Sequence, residues 1–137
     1  MRGQSLAMIG RLLGWDNAPT DTHFSDVGES YFGSGFIEVA TREGFISGFP
    51  DGTFRPNDSI TRGQMAAILG NVFEFEGEDS DFVDVDAETT TGAAAIAYLS
   101  EHDIVSGYDD GSFRPTATLS RAQFASIFYK LGEHLQD

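Results

Sequence analysis

Ser47-Gly48-Phe49-Pro50-Asp51-Gly52-Thr53-Phe54-Arg55-Pro56 recurs as Ser106-Gly107-Tyr108-Asp109-Asp110-Gly111-Ser112-Phe113-Arg114-Pro115. Recurrence at a fixed period marks a chain assembled from copies of one supersecondary unit, and it decides the fold before any single helix is assigned. Working outward, Phe24-Ser25-Asp26-Val27 returns as Phe82-Val83-Asp84-Val85, and Ile60-Thr61-Arg62-Gly63-Gln64 returns as Leu119-Ser120-Arg121-Ala122-Gln123. The offset is 84 − 26 = 58 at the first element and 121 − 62 = 59 at the last, so the later copy carries one extra residue between them. Arg2-Gly3-Gln4 matches Arg62-Gly63-Gln64, and Met1 stands where Thr61 and Ser120 stand in the full copies. The sequence therefore opens inside a copy. The expected organisation is a terminal helix of a truncated first copy over 1–15, a full copy over 24–73, an acidic linker over 74–81, and a second full copy over 82–133.

Each full copy reads the same way. The Phe-x-Asp-Val segment leads into a first helix, roughly 34–43 and 93–102, with Phe36, Ile37 and Ala40, or Ala95, Ile96 and Leu99, at helical spacing. Gly44 stands where a left-handed helix stop is expected, and its counterpart is Asp103. Asp51-Gly52 and Asp110-Gly111 read as turns, and Arg55 and Arg114, each before a proline, are expected to be extended. The second helix opens with a capping box, Thr61-x-x-Gln64 or Ser120-x-x-Gln123. It then presents Met65, Ile68, Leu69 and Val72, or Phe124, Ile127, Phe128 and Leu131, to a core. Ser5, Met8, Ile9 and Leu12 are their counterparts in the first helix, where Met1 cannot supply a hydroxyl cap.

Composition narrows the function classes. The chain has 137 residues and twelve Phe, which suffices for a small folded core. It has no cysteine, so disulfides and thiolate metal sites are excluded. The formal net charge is −14, with Lys130 the only lysine, and this argues against a nucleic-acid backbone as partner. Such a surface suits high salt or divalent cations. No apolar run is long enough to span a membrane. Arg11 interrupts the apolar stretch of residues 1–15, which reads as a helix and not as a signal peptide.

The three linked elements, found twice in order, resemble the S-layer homology family. That family's pattern is a Phe-x-Asp-Val start, a Gly-Tyr-x-Asp-Gly-Thr-Phe-Arg-Pro turn and an Ile-Thr-Arg-Ala-Glu helix start. Residues 24–73 and 82–132 match throughout. The resemblance implies a mainly α fold of helix–loop–helix repeats around a pseudo-threefold helical core, with the first repeat truncated. It further implies a non-catalytic anchoring module outside the cell, at the wall or S-layer, bound to a secondary cell-wall polysaccharide or peptidoglycan-linked glycan that often bears pyruvate ketals. The sequence departs from the pattern where the family's tryptophan at the first helix is Phe32 and Thr91, and where its glutamate is Gln64 and Gln123.

The residues that open the second helix are the expected binding set. A cation in a helix's first turn opposes the macrodipole, so Arg2, Arg62 and Arg121 stand where helix physics alone would not place them. An arginine beside free helix N–H groups makes an anion site able to grip a carboxylate. Arg2, Arg62 and Arg121 are therefore expected to bind the glycan, assisted by Thr61, Ser120, Gln64, Gln123 and an aromatic face at Phe32. The competing reading pairs each arginine with a nearby aspartate and makes Phe32 core. Arg55 and Arg114 are read as loop braces, and the acidic stretch 74–86 as solvated and not as a calcium site, since EF-hand spacing is missing. His23, His102 and His134 lie in unrelated contexts without metal-ligand spacing, and no nucleophile elbow or phosphate loop is present. The expected protein is thus not an enzyme and needs no cofactor or metal. The alternative is a structural or assembly module, a homo-oligomer or one whose first repeat a partner chain completes, with no sugar binding of its own.

Overall fold

In a computed structural model the described residues are 2–136, and they form five helices. These are α1 (Arg2–Leu13), α2 (Ser34–Arg42), α3 (Arg62–Phe73), α4 (Ala93–Glu101) and α5 (Arg121–Gln136). The only β-pairing among the described residues is an isolated antiparallel bridge between Thr61 and Thr118. The fold is mainly α.

The chain divides into two compact units, Met1–Ser59 and Ile60–Asp137. The division falls within a sequence copy, not between copies. Each unit joins the second helix of one copy to the lead-in, first helix and turn of the next: α1 packs on α2, and α3 packs on α4. In the first unit Leu6, Ile9, Val27, Ile37, Ala40 and Phe54 are fully buried. Close packing there uses Gly10, where a β-carbon would lie 2.3 Å from the Phe36 ring. In the second unit Met65, Leu69, Ile96, Leu99, Ile104, Phe113 and Leu131 fill the core. The Phe-x-Asp-Val phenylalanine packs at a tilt against the turn phenylalanine in both units, Phe24 against Phe54 and Phe82 against Phe113, each with ring centres 5.2 Å apart.

The aspartate of the lead-in explains the turn. Asp26 accepts hydrogen bonds from the amides of Phe54 and Arg55, both at 2.8 Å, and Asp84 does the same for Phe113 and Arg114 at 2.8 Å. Two consecutive amides converging on one carboxylate require a curled backbone. Arg55 and Arg114 accordingly take φ of 59° and 60°, correcting the extended conformation expected before proline. Their side chains offset that strain. Arg55 lies 3.9 Å over the Phe49 ring and pairs with Asp51, while Arg114 lies 3.8 Å over Tyr108 and pairs with Asp110. The loop-brace reading of both arginines holds.

Helix ends follow local chemistry. Both halves of each capping box form: Thr61 with Gln64, and Ser120 with Gln123. The cap position at Met1 lies outside the described residues. Gly44 has φ of 79° and Asp103 keeps the same left-handed conformation at 59°. After α3, Glu74 is also left-handed, and the chain turns back so that Phe75 is buried against Tyr98, with ring centres 4.3 Å apart. The amide of Gly77 then bonds the carbonyl of Ala94 at 2.9 Å. The acidic segment after α3 is thus fastened to α4 through an aromatic side chain and the backbone, while Glu76, Glu78, Asp79 and Asp81 face solvent.

Candidate binding site

Arg2 and Arg62 are 6% and 5% exposed, and among the described residues neither forms an ion pair with an aspartate. Arg62 donates from Nε to the carbonyl of Phe113 at 2.8 Å and from Nη2 to that of Ser106 at 2.7 Å. Its guanidinium also lies 4.3 Å from the Phe113 ring centre. Arg2 repeats the arrangement with Phe54 and Ser47 at 3.1 and 3.3 Å, and lies 4.7 Å over the Phe54 ring. The amides of the first helical turn are engaged as well: Arg62 and Gly63 donate to Ala117 and Pro115, and Arg2 and Gly3 to Asp58 and Pro56. The turn of the next copy therefore meets the positive end of each helix with carbonyl dipoles, in the place where a free anion was expected. Burial lowers the pKa of both arginines below its ordinary value, yet a guanidinium remains charged. Gly63 permits the approach, since a β-carbon there would lie 2.9 Å from the Pro115 carbonyl oxygen.

Arg121 differs. It opens α5 behind the Ser120 cap, is exposed, and has no turn inserted on it among the described residues. Ala122 occupies the position held by Gly3 and Gly63.

Two cavities in the Ile60–Asp137 unit gather most of the remaining expected residues. A cavity of about 220 Å³ is lined by Arg62, Gln123, Ser126 and Lys130 over an apolar floor of Ile104, Val105 and Ile127. Phe113 and Ser106 accept from two of the five N–H donors of Arg62, and the same buried side chain lines this cavity. Gln123 is held at its edge by a 2.9 Å bond to the Tyr108 hydroxyl. A wider cavity of about 480 Å³ is lined by Thr61, Gly63, Gln64, Thr89, Thr90, Thr91 and Thr116, with Pro115 and Asp84. Asp84 is a spent acceptor. Desolvation pushes its pKa up, but the amides of Phe113 and Arg114 outweigh that and hold it below the usual carboxylate value. In the Met1–Ser59 unit, Phe32 is 54% exposed and lies against Tyr31, with ring centres 4.7 Å apart. It is a surface aromatic, against the core reading. Arg2 lines none of these spaces.

Sequence reasoning passed over Lys130, Ser126 and the threonine run. Lys130 and Ser126 follow Ser120-x-x-Gln123 along α5, so the one lysine near a repeated helix start was the available signal. No helix among the described residues is long and apolar enough to cross a membrane, and no three metal-ligating side chains of His, Cys, Asp or Glu converge.

The family model of the S-layer homology domain matches residues 23–66 and 81–125. A cellulosome-anchoring protein of Acetivibrio thermocellus is 35% identical over 96 residues, covering 66% of this chain and 22% of that protein. An amylopullulanase of Thermoanaerobacterium thermosulfurigenes is 34% identical over 140 residues, covering 96% of this chain and 7% of the enzyme. S-layer protein EA1 of Bacillus anthracis is 30% identical over 105 residues, covering 76% of this chain and 12% of that protein. The chain thus spans less than a quarter of each of these relatives. Two matched segments carrying the same lead-in, turn and capped helix place it: the chain belongs to the S-layer homology domain family.

Proposed function

We propose that this chain is a non-catalytic anchoring module of the cell surface that holds an anionic wall polysaccharide in the cavities beside α3 and α5. The observation that carries the reading is the smaller cavity, where Lys130 and Arg62 line one space in a chain of net charge −14. Two cations above Ile104, Val105 and Ile127 suit a group that is part carboxylate and part methyl, which describes a pyruvate ketal. The hydroxyls of Thr61, Thr89, Thr90, Thr91 and Thr116, with Gln64, suit the neutral hydroxyls of adjoining sugar residues. Phe32 offers a comparable unit an exposed face for stacking. Arg2 serves as a brace, and Arg121 adds positive charge to the surface beside Ser120. The names of the anchoring and S-layer relatives support a place outside the cell.

The test is co-sedimentation of the full chain with purified wall polysaccharide. Lys130→Ala is expected to weaken binding about tenfold or more, and mild-acid removal of the ketals should bring the wild type to the same level. Binding by Lys130→Ala equal to wild type on untreated polysaccharide would refute the assignment of the anionic group.

One observation favours a second reading. Arg2 and Arg62 are each buried in the turn that follows, whereas Arg121 is exposed. A turn supplied by a partner chain could cover Arg121 and make the chain an assembly module. Mass measurement in solution separates the readings, because a strict monomer at all concentrations argues against completion by a second copy.

A further inference from the structure

The C-terminal turns of α4 and α5 bring together three side chains that the repeat does not require. His102 caps the end of α4, and His134 lies in the last turn of α5. Their ring centres are 4.9 Å apart, with the planes at 52°. Tyr98, one turn before His102, places its hydroxyl 2.9 Å from Nε2 of His134. Phe75 backs the cluster, stacked on Tyr98 and edge-on to His134. At the equivalent positions of the earlier copy, 59 residues before, stand Val39 and Glu43, so neither Tyr98 nor His102 belongs to the shared framework.

The spacing fits chelation. With metal–nitrogen bonds of about 2.0–2.1 Å, each nitrogen roughly 1.1 Å from its ring centre, and an angle of about 90–110° at the metal, two imidazoles on one ion have centres about 4.5–5.2 Å apart. The observed 4.9 Å lies inside that range. The Tyr98 hydroxyl completes the pattern of a metal-binding histidine, which donates its second ring N–H to an oxygen acceptor that fixes the ring. His102 is exposed and no hydrogen bond engages its ring among the described residues, so both of its nitrogens are available.

We propose that His102 and His134 form a two-histidine site for a borderline transition-metal dication such as Zn²⁺ or Cu²⁺, with Tyr98 as the positioning residue for His134. His134 binds through Nδ1 while Nε2–H donates to the Tyr98 oxygen, and water fills the remaining positions. The ion would tie the end of α5 to the end of α4. Two imidazoles favour Cu²⁺ over Zn²⁺. Hard cations such as Ca²⁺ prefer the carboxylates that abound elsewhere on this chain.

The test is calorimetric titration of the full chain with Zn²⁺ and with Cu²⁺ in excess Ca²⁺, which saturates carboxylate sites. One ion should bind per chain, and His102→Gln should weaken it at least tenfold. Tyr98→Phe should weaken it roughly tenfold, within the range for loss of an outer partner. A thermal shift gives an independent reading: Zn²⁺ should raise the melting temperature of wild type and leave that of His102→Gln unchanged. His102 is exposed but its ring flanks Tyr98, with centres 4.2 Å apart, so a far-ultraviolet circular dichroism spectrum of His102→Gln matching that of wild type checks that the fold is kept, whereas a His134 variant also loses its contact with Phe75. No Zn²⁺ or Cu²⁺ binding by wild type in excess Ca²⁺, or equal binding by His102→Gln, would overturn the proposal.

Discussion

Arg62→Ala should be among the most damaging single changes in the chain. The substitution removes two hydrogen bonds from a buried cation, to Phe113 at 2.8 Å and Ser106 at 2.7 Å, and leaves the carbonyl of buried Phe113 without that donor. Hydrogen bonds to a charged group contribute roughly 1.5–3 kcal/mol each. The contact with the Phe113 ring adds about 0.5–2 kcal/mol. These terms overlap, and the ordered guanidinium carries its own desolvation cost, so a net loss of about 3–4 kcal/mol is expected. That is a large share of the ~5–15 kcal/mol that holds a domain together. Arg121→Ala, at the matching position of α5, removes an exposed side chain and should change stability by no more than about 0.5 kcal/mol. Urea unfolding followed by far-ultraviolet circular dichroism compares the two variants directly. Arg62→Lys should fall between wild type and Arg62→Ala, because an ammonium cannot reach both carbonyls and lie flat on a ring. Equal losses for Arg62→Ala and Arg121→Ala would refute the claim that the helix-start arginine braces the next turn.

Gly63→Ala should cost about 1–3 kcal/mol, because the new β-carbon meets the backbone of Pro115, whereas Ala122→Gly should cost only the helix propensity of about 1 kcal/mol; denaturation midpoints compare them. Asp103→Gly should stabilise the chain by up to about 1 kcal/mol, since it relieves a left-handed residue where the earlier copy already has Gly44; a higher melting temperature reports it. The folded-state pKa of Asp84 is depressed, so its contribution is present above the ordinary aspartate value near 3.8 and fades as pH falls through the folded value. Asp84→Asn should therefore be less stable than wild type at neutral pH, with the gap closing in acid, as unfolding midpoints from pH 7 down to pH ~2 would show.

The fold was largely legible because it is carried by local chemistry that repeats. The capping boxes at Thr61 and Ser120, the stop at Gly44 and the apolar spacing of α3 and α5 depend on neighbours within a turn or two. The backbone of Arg55 and Arg114 was misread because proline's local preference is overruled by Asp26 and Asp84, which bind from about half a copy away. The same reason hid the position of Arg2 and Arg62. Their placement against the helix dipole marked them as exceptional, but the partner is a set of carbonyls in the following copy, and carbonyls leave no trace in residue identity. His102 and His134 lie far apart in sequence, and only the tertiary fold brings their rings to within 4.9 Å. Phe32 looked like core by type and is exposed by position.

The most direct test of the binding account is residue-resolved. A ¹⁵N-labelled chain titrated with a soluble fragment of ketal-bearing wall polysaccharide should show saturating amide shifts at Gln123, Ser126 and Lys130, and along Thr89–Thr91, with little change beside Arg2. Shifts confined to the start of α5 around Arg121, or none near Lys130 at saturation, would contradict it.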